Sequence, residues 1–136
     1  MEDFKRDYDR RRLCARDGVT VTRVQDRCNN KPMHWDFGTS DLITYEFKAD
    51  FESARTRSVF VEFEDGVNPS GIAITTADFH IFKTVDFYQI PTATLKELVK
   101  GHRTASAKDK DTGELTWGYL VPRQVFINAS VLLPAV

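Results

Sequence analysis

At 136 residues the chain has the length of one domain, enough to bury a core without disulfide or metal staples. With 41% hydrophobic, 12% aromatic and 29% charged residues, and a formal net charge of -1, it is ordinary globular material, which excludes wholesale disorder. No stretch approaches the ~20 apolar residues of a membrane-spanning helix, and the first residues carry no apolar signal core, so no membrane partner and a cytoplasmic location (host cytoplasm if viral) are expected.

Residues 2–15 read as a charged helix with Phe4, Tyr8 and Leu13 as a thin apolar stripe, ended by Gly18. Between Lys5 and Arg27 eight basic side chains face four acidic ones, a local excess that attracts polyanions or is simply solvated. Cys14 and Cys28 form no metal-ligand pattern and fit a reducing compartment. Residues 19–24 alternate as an extended strand, and residues 26–32 are turn-rich.

Residues 34–39 and 42–48 read as two strands of a hairpin turning at residues 38–41. Polar residues 50–57 read as a loop, and residues 58–64 as a third strand ended by Asp65-Gly66. Thr75 or Thr76 is expected to cap a short helical turn. Residues 79–83 and 87–90 predict two more strands, and residues 95–100 an amphipathic helix capped by Thr92 or Thr94. Residues 103–116 read as the mobile loop, 117–122 as a closing strand, and 124–133 as either helix or strand.

Chemistry concentrates on Ile43-Thr44-Tyr45-Glu46-Phe47-Lys48. Strand alternation puts Ile43, Tyr45 and Phe47 on one face and Thr44, Glu46 and Lys48 on the other. Asp36 lies ten positions before Glu46, a hairpin's reach away. Two carboxylates beside an ammonium suit Mg²⁺, a hard cation satisfied by one or two protein carboxylates, with Mn²⁺ as its substitute. The Phe47 carbonyl is a third oxygen donor, and Lys48 is suited to orient an attacking water and offset charge on a phosphate. The bland alternative is a solvated Glu-X-Lys strand face. Around this site Ser70, Thr75 and Thr76 offer hydroxyls to phosphate oxygens or to turns, and Arg55 and Arg57 offer cations to a nucleic-acid backbone or to solvent. His80, between Phe79 and Ile81, reads as a packed structural histidine.

The order helix, Asp-bearing hairpin, Glu-X-Lys strand, third strand, short helix and strand resembles the PD-(D/E)XK nuclease superfamily, in particular its small Holliday-junction-resolvase-like and phage-encoded members. The resemblance is carried by Tyr45-Glu46-Phe47-Lys48-Ala49-Asp50, Val59-Phe60-Val61-Glu62, Pro69-Ser70-Gly71-Ile72 and Thr75-Thr76-Ala77-Asp78-Phe79, and spans about residues 34 to 122. Trp35 stands where the motif's Pro would precede Asp36, and Arg57-Ser58 where phage relatives tend to have Gly-Asn. The resemblance implies one α/β domain over residues 1–136, with a restriction-endonuclease-like central mixed sheet flanked by helices. It implies a Mg²⁺-dependent endonuclease acting on DNA, with branched DNA as a substrate and a homodimer as the assembly. Asp36, Glu46 and Lys48 take the catalytic positions, and Asp36, Glu46 and Phe47 hold the metal. The alternatives are a non-catalytic nucleic-acid-binding module on the same fold, or a phage interaction or structural protein.

Overall fold

The computed structural model describes residues 21–24, 35–50 and 52–133. The helix expected over residues 2–15, both cysteines and the turn at residues 26–32 lie outside the described residues. Strand β1 is Val21–Val24, β2 is Phe37–Thr39 and β3 is Thr44–Ala49. A one-turn helix α1, Ser53–Thr56, leads into β4, Ser58–Asp65, which doubles back into the two-residue β5, Asn68–Pro69. A 3₁₀ turn, Gly71–Ala73, precedes β6, Phe79–Lys83, and β7, Phe87–Pro91. Then follow α2 (Thr92–Leu98), β8 (Thr104–Lys108), β9 (Leu115–Pro122), α3 (Arg123–Asn128) and β10 (Val131–Leu132).

The described residues form a mixed α/β arrangement with two sheets and few helices. The larger sheet runs β1-β2-β3-β6-β7-β10, and the smaller β5-β4-β9-β8. The expected α/β class is met, with two sheets among the described residues and three described α-helices of only 4, 7 and 6 residues. The reason for two sheets lies in β3. Its two edges are taken by β2, antiparallel, and β6, parallel, so β4 has no place beside it. A parallel pair requires a crossover connection. Here α1, β4, β5 and the 3₁₀ turn make that crossover, and β4 pairs instead with β9 in a second sheet.

Two expectations change. Residues 103–116 are not a loop: Thr104–Lys108 pairs antiparallel with Leu115–Thr116 and onward into β9, with the turn held by Asp109, whose carboxylate accepts the N–H groups of Asp111 and Thr112. Residues 50–57 include a helical turn closed by Arg57 in the left-handed region, φ +65°. The ambiguous segment 124–133 is both things, a helix followed by a short strand.

One core joins the two sheets. Val59, Val61 and Val121 of the smaller sheet pack with Phe82 and Ile90 of the larger and with Leu95, Val99 and Phe126 from the helical segments. The other face of the larger sheet buries Phe37, Tyr45, Ile81, Phe87 and Leu133. There Phe37 stacks on Tyr45 at 5.2 Å and Tyr45 on Phe79 at 5.6 Å, so neighbouring strands lock through aromatic pairs. These contacts fix which face of β3 is left for chemistry. No helix among the described residues is long and apolar enough to cross a membrane.

Candidate active site

Register fixes the site. Phe37 pairs with Tyr45 across the β2–β3 hairpin and the Asp36 N–H donates to the Tyr45 carbonyl at 2.8 Å, so Asp36 sits against the second half of β3. Its Oδ2 accepts the Phe47 N–H at 2.8 Å, beyond the end of the β2–β3 pairing. A strand residue's N–H and C=O leave on the same side, so the Phe47 carbonyl turns to the edge that Asp36 occupies. Asp36 is buried, 5% exposed.

On β3 the expected alternation holds: Tyr45 is buried among the aromatics, while Glu46 and Lys48 share the other face. Lys48 Nζ lies 3.7 Å from Glu46 Oε2, with the lysine side chain 36% exposed and the glutamate side chain 15%. Asp36 therefore lies against the backbone of Phe47, and the Glu46–Lys48 pair occupies the positions on either side of Phe47 in β3. Among the described residues no three His, Cys, Asp or Glu side chains form a metal-binding group. The donors on hand for a cation are two carboxylates and a carbonyl, all hard oxygens. That set fits Mg²⁺, which keeps several waters, better than a softer metal.

The parallel strand β6 brings His80 opposite Glu46 in register. His80 is 2% exposed, and its Nδ1 meets the Thr92 hydroxyl at 2.9 Å. Burial, with Lys48 and then Lys96 as nearby cations, lowers its pKa to about 4, so the imidazole is neutral at pH 7. Thr92 was expected as a helix cap; its hydroxyl instead holds this histidine.

The remaining expected residues spread out. Ser70 donates to Glu62 Oε2 at 2.6 Å on the neighbouring strand. Thr75 is buried, its hydroxyl accepting the Ala77 N–H at 3.1 Å, while Thr76 is exposed. The guanidinium of Arg55 is engaged by Glu52 one helical turn back, both largely exposed. Arg57 is exposed and terminates α1. Glu62, to which Ser70 donates, borders the same cleft as Lys48, whereas Arg55 and Arg57 lie on the α1 segment.

Asp50 carries a role that single-residue reading misses. Its Oδ1 caps the Ser53 N–H at 3.0 Å, and its Oδ2 accepts the Phe60 N–H at 3.1 Å, tying the end of β3 to the second sheet. Nothing local in the sequence announces that tie, because Phe60 is ten positions away. His80 is comparable: its place beside Lys48 follows from the parallel register of β3 and β6, a long-range fact. No protein-family model, curated protein or solved structure matches the chain.

Proposed function

We propose that the chain is a Mg²⁺-dependent nuclease of the PD-(D/E)XK type, hydrolysing DNA phosphodiester bonds at the Asp36–Glu46–Lys48 cluster. One observation carries the reading: Asp36 reaches the backbone of Phe47 at 2.8 Å while Lys48 pairs with Glu46 at 3.7 Å on the same stretch of β3. In this reading the six-stranded sheet is the restriction-endonuclease-like sheet, and the open end of the β2–β3 hairpin is where DNA meets it.

Asp36, Glu46 and the Phe47 carbonyl hold the cation. When bound, Mg²⁺ lowers the pKa of a coordinated water and polarises a phosphoryl oxygen. Lys48 orients the attacking water and offsets the charge that builds on the phosphate during in-line displacement. The buried Asp36 carboxylate, fixed by the Phe47 N–H, keeps its orientation without substrate, which is the preorganisation that such chemistry needs. Branched DNA is the substrate and a homodimer the assembly that this reading favours, since two symmetric sites nick paired strands.

The test is incubation of supercoiled plasmid and branched oligonucleotides with the protein and Mg²⁺ or Mn²⁺, beside Asp36→Ala and Lys48→Ala. Cleavage by the native chain that is lost in both variants supports the assignment. Cleavage persisting in both would remove it, and salt-sensitive binding with no cleavage under either metal would make the chain a binding module.

A further inference from the structure

A cleft of about 660 Å³ opens beside Lys48, between the β3–β6 face of the larger sheet and the smaller sheet. Lys48 and His80 line it from one side, Phe60 and Glu62 from the other, with Arg103 and Ala107 beside β8. We propose that this cleft receives an unpaired nucleobase of the strand whose phosphate meets Lys48, so that a branched substrate is engaged where its strands are unpaired or locally opened. The proposal rests on the nuclease reading for its phosphate, and the cleft's own chemistry supplies the rest.

The volume lies in the range of small-ligand sites and exceeds what one base occupies. Phe60 provides a rigid aromatic wall: a Cβ on Gly118 would lie 2.6 Å from its ring, so the ring is seated directly on that glycine. Rigid aromatic faces are what unpaired bases stack on. His80 is almost wholly buried, yet among the described residues only its Nδ1 has a partner, the Thr92 hydroxyl. Nε2 is left to pair with whatever enters, and base edges carry both donors and acceptors. Glu62 is anchored through Oε2 by Ser70, which leaves Oε1 to accept from an exocyclic amino group. Arg103, exposed beside the cleft, faces the backbone of the entering strand with a cation. In duplex DNA the bases are stacked and their Watson–Crick edges paired, so a base must be unpaired to enter the cleft and present that edge to His80 and Glu62.

The test is binding measured in EDTA, where metal-dependent cleavage cannot occur, by fluorescence anisotropy of labelled oligo(dA), oligo(dC), oligo(dT) and a mixed-sequence duplex. The native chain should bind the single strands more tightly than the duplex, and dA and dC more tightly than dT. Ala107→Trp, at an exposed position on β8, fills the cleft without entering the core. It should weaken single-strand binding by about tenfold, with an unchanged thermal unfolding midpoint. Glu62→Leu, which removes the carboxylate acceptor at similar size, should erase the preference for amino-bearing bases. Duplex bound as tightly as single strands, no binding of either, or an Ala107→Trp variant that binds like the native chain would overturn the proposal. Plasmid cleavage with Mg²⁺ alongside any of those results would refute the base site alone. A full set of expected binding results without cleavage would refute the nuclease alone.

Discussion

At the scale of single residues, the sharpest distinction is between holding structure and doing chemistry: Asp36 holds the Phe47 N–H, and the proposed function gives it a metal to hold as well. Asp36→Asn keeps an oxygen for the Phe47 N–H but forfeits the negative charge. Asp36→Ala also removes the acceptor of that part-buried hydrogen bond, a loss of about 1 kcal/mol. Asp36→Asn should therefore abolish cleavage with an unfolding midpoint close to the native one, whereas Asp36→Ala should abolish cleavage and lower the midpoint in urea. Equal stability of the two would mean that the hydrogen bond contributes nothing. Lys48→Arg is expected to lose cleavage nearly as fully as Lys48→Ala, because a planar fork cannot replace a compact ammonium beside a cation; plasmid nicking rates measure it. The hairpin and strand that carry these residues were legible in the sequence because their spacing is local: Lys48 two positions after Glu46, and one hairpin between them and Asp36. The buried state of His80 was legible too, but the ties of Glu62, His80 and Asp50 to Ser70, Thr92 and Phe60 were not, because those partners lie on other elements.

At the scale of elements, the strands were readable where burial alternates, as in β4, or where an apolar run is buried on both faces, as in β6, and unreadable where turn chemistry hides pairing. The segment 103–116 has small and charged residues on an exposed edge, so its strand β8 carries no apolar alternation to betray it. Close backbone approach was equally invisible. Gly71 has φ +51°, and a Cβ there would lie 2.3 Å from the Glu62 carbonyl oxygen, so the 3₁₀ turn rides directly on β4. Gly71→Ala combines left-handed strain with a main-chain clash and should cost about 2–4 kcal/mol in chemical denaturation. It should also disturb the Ser70–Glu62 bond, since the neighbouring turn must move. A variant as stable as the native chain would show that the turn shifts freely and does not hold β4 in register.

At the scale of the whole molecule, the two sheets are held across a seam in which β3 and β6 face the smaller sheet, and buried His80 sits at that seam beside Lys48. This arrangement makes stability depend on pH. Desolvation first, and then the positive charges of Lys48 and Lys96, lower the folded pKa of His80 to about 4 from an ordinary 6.5. Between those values the unfolded chain binds a proton that the folded chain refuses. The contribution is thus fully present above pH 6.5 and is lost as pH falls towards 4, a change of about 3 kcal/mol over the window. Carboxylates add their own acid sensitivity, so the useful comparison is of slopes. Urea unfolding of the native chain and of His80→Gln at pH 7 and pH 4.5 should show the native chain losing about 2–3 kcal/mol more than the variant between the two conditions. The variant is expected to start lower, because the Thr92 hydroxyl loses its imidazole partner, and to converge on the native chain in acid. Parallel losses would mean that the imidazole takes up its proton with little cost in the folded state, and that the seam between the sheets is open enough for water to reach it.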